Sequence, residues 1–152
     1  MNDPVVIVGA RRTPIGAFQG QFSTLSAPQL GAVAVKAAIA QAGVAGSDID
    51  EALLGCVLAA GQSQAPARQA VLGAGLPQSV PCTTLNKMCG SGMKTAMLLH
   101  DLIAVGTANI GIAGGIESMT NAPYLLPKAR EGYRLGHGQL LDHMFFDVLE
   151  EF

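Results

Sequence analysis

Residues 81–105 read PCTTLNKMCGSGMKTAMLLHDLIAV. Pro81 to Leu85 has the short, bounded character of a strand, and Gly90 to Val105 predicts a long helix. Between them lies a turn that carries Cys89 between Met88 and Gly90. Outward from this unit the same alternation repeats. Downstream, Ala108 to Ala113 predicts a strand closed by Gly114-Gly115. Upstream, Pro66 to about Gly73 predicts a short helix, and Ala52 to Val57 an apolar strand. Asp48-Ile49-Asp50 opens a short turn. Ser26 is suited to cap a helix with Pro28 in its first turn, running to about Gln41 and stopping at Gly43. Val5-Val6-Ile7-Val8, ended by Gly9, reads as a buried strand. The order β-α-β-α-β-α-β implies an α/β layered sheet. Past Gly115, residues 116–138 are broken by Pro123, Pro127, Gly132, Gly136 and Gly138 and read as loop, with a last helix expected near Leu140.

Two of these helices lack a polar side. Leu30–Ile39 has Lys36 as its only charge, and Met93–Val105 is broken only by Lys94, His100 and Asp101. A helix that is apolar all round must be covered all round. One sheet covers one side, so the Met93 helix is expected between this sheet and a second one that these residues do not supply.

Composition agrees. Of 152 residues, 49% are apolar and 13% charged. The apolar share excludes a disordered tail. The charged share is about half that of an ordinary soluble domain, which implies surface covered by another domain or subunit. A net charge of −2, with no basic run, removes the electrostatic footprint of a nucleic-acid binder. The apolar stretch Thr95–Gly106 is cut by His100 and Asp101 and is too short to span a bilayer. Met1-Asn2-Asp3-Pro4 has no basic lead of a secretory signal. Three cysteines cannot pair off evenly and match no metal motif, so a reducing, cytoplasmic compartment and no metal site are expected.

Cys89, at the amino-terminal end of the long helix, is the candidate nucleophile. Unpaired backbone N–H groups and the positive end of the helix dipole favour a thiolate there. The same N–H groups suit an oxyanion. Gly90 and Gly92 are poor helix formers that would let a substrate approach the backbone. The competing reading is a buried structural thiol beside glycines that tighten a turn; the strand–turn–helix setting favours the nucleophile.

Asn86-Lys87-Met88-Cys89-Gly90-Ser91-Gly92-Met93-Lys94 resembles the nucleophile motif of thiolases. Three further blocks resemble that family in the same order. They are Val8-Gly9-Ala10-Arg11-Arg12-Thr13-Pro14-Ile15-Gly16, the stretch from Gly55-Cys56-Val57-Leu58 to Gln64-Ala65-Pro66-Ala67-Arg68-Gln69-Ala70, and Ala113-Gly114-Gly115-Ile116-Glu117-Ser118-Met119-Thr120-Asn121-Ala122-Pro123-Tyr124. Gly132-Tyr133-Arg134-Leu135-Gly136-His137-Gly138 also fits. The resemblance implies a layered αβαβα fold of two similar halves. Residues 1–115 would form the amino-terminal half-domain with one mixed sheet, residues 116–152 would begin the loop region, and the carboxy-terminal half would be absent. It implies acyl transfer through a thioester on Cys89 between coenzyme A thioesters, which are substrates, so no cofactor is expected. Glu117, Ser118 and Met119 would support the site. The family's later half holds a histidine base, a second cysteine and an asparagine, all beyond Phe152. The chain alone is therefore expected not to turn over. Its expected partners are acyl-CoA and either copies of itself or a second chain bearing the missing half, with no membrane and no nucleic acid. A non-catalytic thiolase-like subunit or scaffold stays open, as does a ketoacyl-synthase-type condensing enzyme. Asn86-Lys87 and Glu117-Ser118-Met119 favour thiolase over the last.

The remaining candidates have plainer readings. Cys56 and Cys82 are expected to be inert, Met88, Met93 and Met97 to be core, and His100 to pack or cap near Asp101. His137 and His143 fit exposed loop histidines better than a substrate path. Arg68 suits a salt bridge or subunit contact. Arg11-Arg12 lacks the glycine pattern of a dinucleotide turn.

Overall fold

The computed structural model describes residues 4–150. Its first regular element, α1 (Ala27–Ala42), starts at a capping box: Ser26 Oγ accepts from Gln29 N at 3.4 Å, and Gln29 Oε1 accepts from Ser26 N at 2.8 Å. It ends at Gly43, whose φ of 68° is the left-handed cap a glycine adopts freely. Next come β1 (Glu51–Gly55), α2 (Pro66–Gly73), β2 (Cys82–Leu85), α3 (Ser91–Ala104) and β3 (Gly111–Gly115). Strands β4 (Tyr124–Leu125) and β5 (Leu141–Asp142) form a small antiparallel pair.

The main sheet has the order β2-β1-β3. Both pairings are parallel, so the expected mixed sheet is parallel throughout. The reason is topological: each consecutive pair is joined by a helical crossover, which returns the chain in the same direction. β1 is central and buried on both faces. Ala52, Leu54 and Cys56 join Ala27, Val35, Ala67, Ala70 and Val71 in a core under α1 and α2. By alternation Leu53 and Gly55 face α3 on the other side. There the fully buried Thr95 hydroxyl lies 2.7 Å from Gly92 O and 2.9 Å from Gly114 O, tying helix to strand.

Four further expectations differ from the structure in whole or in part. Val5–Val8 forms no regular element and pairs with no described strand, and Val6, Ile7 and Val8 are 67%, 87% and 59% exposed. Its neighbour Gly9 rests on α1, where an added Cβ would stand 2.6 Å from Ala38 O, and nothing described covers the run's other side. The third strand starts at Gly111 rather than Ala108, because Asp50 Oδ2 takes the amides of Asn109 and Ile110 at 2.7 and 3.2 Å and holds them as a turn. Near Leu140 there is β5, paired with Tyr124–Leu125, and the expected helix starts only after it, with helical residues 143–144 leading into a π-helix at Phe145–Leu149. Met88, Met93 and Met97, expected in the core, are 44%, 74% and 54% exposed. α3 buries only Ser91, Thr95 and Leu99; its opposite side is bare among the described residues.

Candidate active site

The turn between β2 and α3 is built by short polar side chains. Asn86 Oδ1 accepts from Met88 N at 2.9 Å. Ser91 Oγ accepts from Lys87 N at 2.8 Å and donates to Met88 O at 2.6 Å. The chain is thereby forced through a left-handed residue at Met88, with φ of 48°, which is uncommon outside glycine. Cys89 follows at once and is exposed. Gly90 is the residue flanking α3, so Cys89 stands one position ahead of the helix boundary rather than within its first turn. Ser91 N bonds to Met88 O and Lys94 N to Gly90 O, which leaves the amides of Gly92 and Met93 without an acceptor among the described residues. First-turn amides have no partner within their own helix and are free for another acceptor.

The seat of this turn is glycine on glycine. An added Cβ on Gly55 would stand 2.6 Å from Ser91 Cβ and 2.7 Å from Ser91 C, and one on Gly115 would stand 3.3 Å from Gly92 Cα. Two strand ends without side chains let the start of α3 settle onto the sheet. Gly92 thus serves this close packing. A Cβ on Gly90 would meet only Lys87 O at 3.5 Å, so no described neighbour crowds that position.

Cys89 opens on a cleft of about 800 Å³. Gly92, Glu117, Ser118 and Met119 line it too, as do Val57 and residues 11–18. Gly90 does not. Ser118 Oγ donates to Leu25 O at 3.0 Å and accepts from Asn121 Nδ2 at 2.8 Å, so its hydroxyl holds the chain before α1. Gln19 N donates to Thr120 Oγ1 at 2.9 Å and fixes the wall formed by the segment before it. Glu117 Oε2 accepts from Val57 N at 2.9 Å, and its Oε1 accepts from Leu58 N at 3.0 Å.

The other thiols differ from Cys89. Cys56 is buried, and burial first, then the Glu117 charge and its hydrogen bond, push its thiol up to about 12. Burial also raises Cys82, against the opposing pull of Arg68. Arg68 itself bonds to the carbonyls of Gln78 at 3.1 Å and Val80 at 3.4 Å instead of to a carboxylate. His100 meets Asp101 at 3.3 Å on the surface, and His137 is exposed. His143 is not an exposed loop histidine: it is 7% exposed, its Nδ1 meets Asp147, and its buried Nε2 has no partner among the described residues. No group of three or more His, Cys, Asp or Glu side chains that could hold a metal occurs among the described residues. The family-like blocks Val8–Gly16 and Gly55–Leu58 mark both the 11–18 wall and Gly55, but nothing in local pattern says that these residues meet the Cys89 turn.

The family described as "Thiolase, N-terminal domain" matches residues 5–152. The chain belongs to the thiolase family. It is 50% identical over 145 residues to an acetyl-CoA acetyltransferase of Cupriavidus necator, covering 95% of this chain and 37% of that protein. It is 49% identical over 148 residues to a cytosolic acetyl-CoA acetyltransferase of Gibberella zeae, covering 97% and 37%. A crystal structure of the thiolase Acat5 from Ascaris suum in complex with coenzyme A superimposes with a TM-score of 0.88 at 40% identity, covering 93% of this chain and 37% of that one. The chain thus spans little more than a third of the length of these thiolases.

Proposed function

We propose that this chain supplies the nucleophile of an acyltransferase that moves acetyl or longer acyl groups between coenzyme A thioesters. The observation that carries the reading is the exposed Cys89, held by a strained turn ahead of α3 at the edge of a cleft of about 800 Å³. The Cys89 sulfur attacks the thioester carbonyl, a new C–S bond forms, and the coenzyme A thiolate leaves and takes up a proton. The unpaired amides of Gly92 and Met93 would receive the negative charge on the carbonyl oxygen. Coenzyme A enters and leaves as substrate, with no resident cofactor. The relatives' names support acetyl-CoA chemistry, and the cytosolic relative supports a cytoplasmic setting. No described helix is long and apolar enough to cross a membrane.

Incubation with acetyl-CoA followed by mass mapping tests this reading. The acetyl group should be found on Cys89 and disappear in Cys89→Ala; acetylation elsewhere, or none, would reject it. Among the described residues no histidine lines the Cys89 cleft, so steady-state cleavage of acetoacetyl-CoA by these residues alone should be undetectable, general acid–base catalysis being worth about 10²–10⁴-fold.

A further inference from the structure

Glu117 follows β3 half-buried, with no cation in ion-pair contact among the described residues. Its carboxylate is given to backbone instead. It accepts from Val57 N at 2.9 Å and Leu58 N at 3.0 Å, and from the Cys56 thiol at 3.6 Å. These donors are the three residues that leave β1. A side chain beyond one strand therefore stitches down the exit of its neighbour. The two strands involved end in Gly55 and Gly115, the pair on which the start of α3 rests. Val57 lines the Cys89 cleft together with Glu117. Hydrogen bonds to an ionised carboxylate are roughly twice as strong as neutral ones. The segment they anchor goes on through three left-handed residues, Gly61, Ser63 and Ala65, so no regular strand or helix holds it in their place.

We propose that Glu117 is a positioning residue, a charged clamp that fixes residues 56–58 as one wall of the cleft and so sets how well a thioester is held beside Cys89. The inference rests on the acyl-thioester reading above. Its test alkylates Cys89 with bromoacetyl-pantetheine: the thiolate displaces bromide, a C–S bond forms as C–Br breaks, and the thiol proton passes to water. Iodoacetamide performs the same chemistry without the arm.

E117Q keeps the shape but turns an N–H toward one of the two amides. In E117Q the half-saturating concentration of the pantetheine reagent should rise about tenfold or more, while its limiting rate and the iodoacetamide rate change little. Unchanged saturation in a folded but less stable variant would make Glu117 merely structural and overturn the proposal. Should E117Q fail to fold, hydrogen exchange in the unaltered chain decides: protected amides at Val57 and Leu58 support the clamp, and unprotected ones overturn it. Should the unaltered chain label without saturation, the acyl-thioester reading falls instead. The clamp is then judged by exchange at those two amides, faster in E117Q if it exists and equal if it does not.

Discussion

At the residue scale the three cysteines separate by environment. Cys56 is 1% exposed and its thiol is pushed up to about 12, so it stays protonated and shielded at neutral pH. Cys82 is half-buried and shifted the same way. Cys89 is exposed, and limited iodoacetamide treatment with mass mapping should find it labelled first and Cys56 last. Earlier labelling of Cys56 would contradict the structure. Asp50 offers a pH test. Hydrogen bonds from the amides of Asn109 and Ile110 lower its pKa below the ordinary 3.8. A depressed carboxylate stabilises above its unfolded value and loses that contribution as pH falls through the folded one. Urea unfolding should show Asp50→Asn less stable than the parent at neutral pH, with the gap closing as pH drops below about 4; a gap that widens in acid would be wrong in sign. The place of Cys89 between a strand and a helix was legible in sequence because Pro81–Leu85 and the run after Gly90 carry local patterns. His143 was not, because its burial depends on Asp147 and on the β4–β5 pair, neither of which local pattern reveals.

At the scale of elements, α1 was readable from Ser26, Pro28 and Gly43, and α2 from Pro66, because capping chemistry is local. The helix expected near Leu140 starts a few residues later, because Leu141–Asp142 pairs with Tyr124–Leu125 first, and it is π rather than α from Phe145 to Leu149. The purpose of Gly92 was also hidden, since it depends on Gly115 lying opposite across the helix–sheet contact. That contact makes a sharp prediction. A methyl on Gly55 would fall 2.6 Å from Ser91 Cβ and 2.7 Å from Ser91 C, one of them backbone, so α3 must move. Gly55→Ala should cost about 1–3 kcal/mol in urea unfolding, the usual range for overpacking. Because Ser91 Oγ holds both Lys87 N and Met88 O, the same change should alter the alkylation rate of Cys89. A variant with unchanged stability and unchanged Cys89 reactivity would show that α3 does not sit on Gly55 as described.

At the scale of the whole molecule, the apolar faces that sequence pattern assigned to burial are bare. The outer side of α3 leaves Met93 and Met97 74% and 54% exposed, and Val105 just past its end is 75% exposed. Val6, Ile7 and Val8 add a second apolar strip with no described partner strand. Soluble monomers rarely leave contiguous apolar patches above a few hundred Å² uncovered. The periodicity asked for cover that the described residues do not provide; the thiolases this chain matches are longer by nearly two-thirds of their own length. The purified chain on its own should meet that need by associating with itself. Light scattering should give a mass above that of one chain, and an environment-sensitive dye should bind strongly. Replacing Met93 and Met97 by Lys should lower both readings. Both side chains stand free of the core, so these changes leave the interior packing intact and should alter stability by no more than about 0.5 kcal/mol. If the unaltered chain runs as a monomer with little dye bound, these side chains are covered by some rearrangement of the chain itself. The bare outer face of α3 would then be the wrong description of its state in solution.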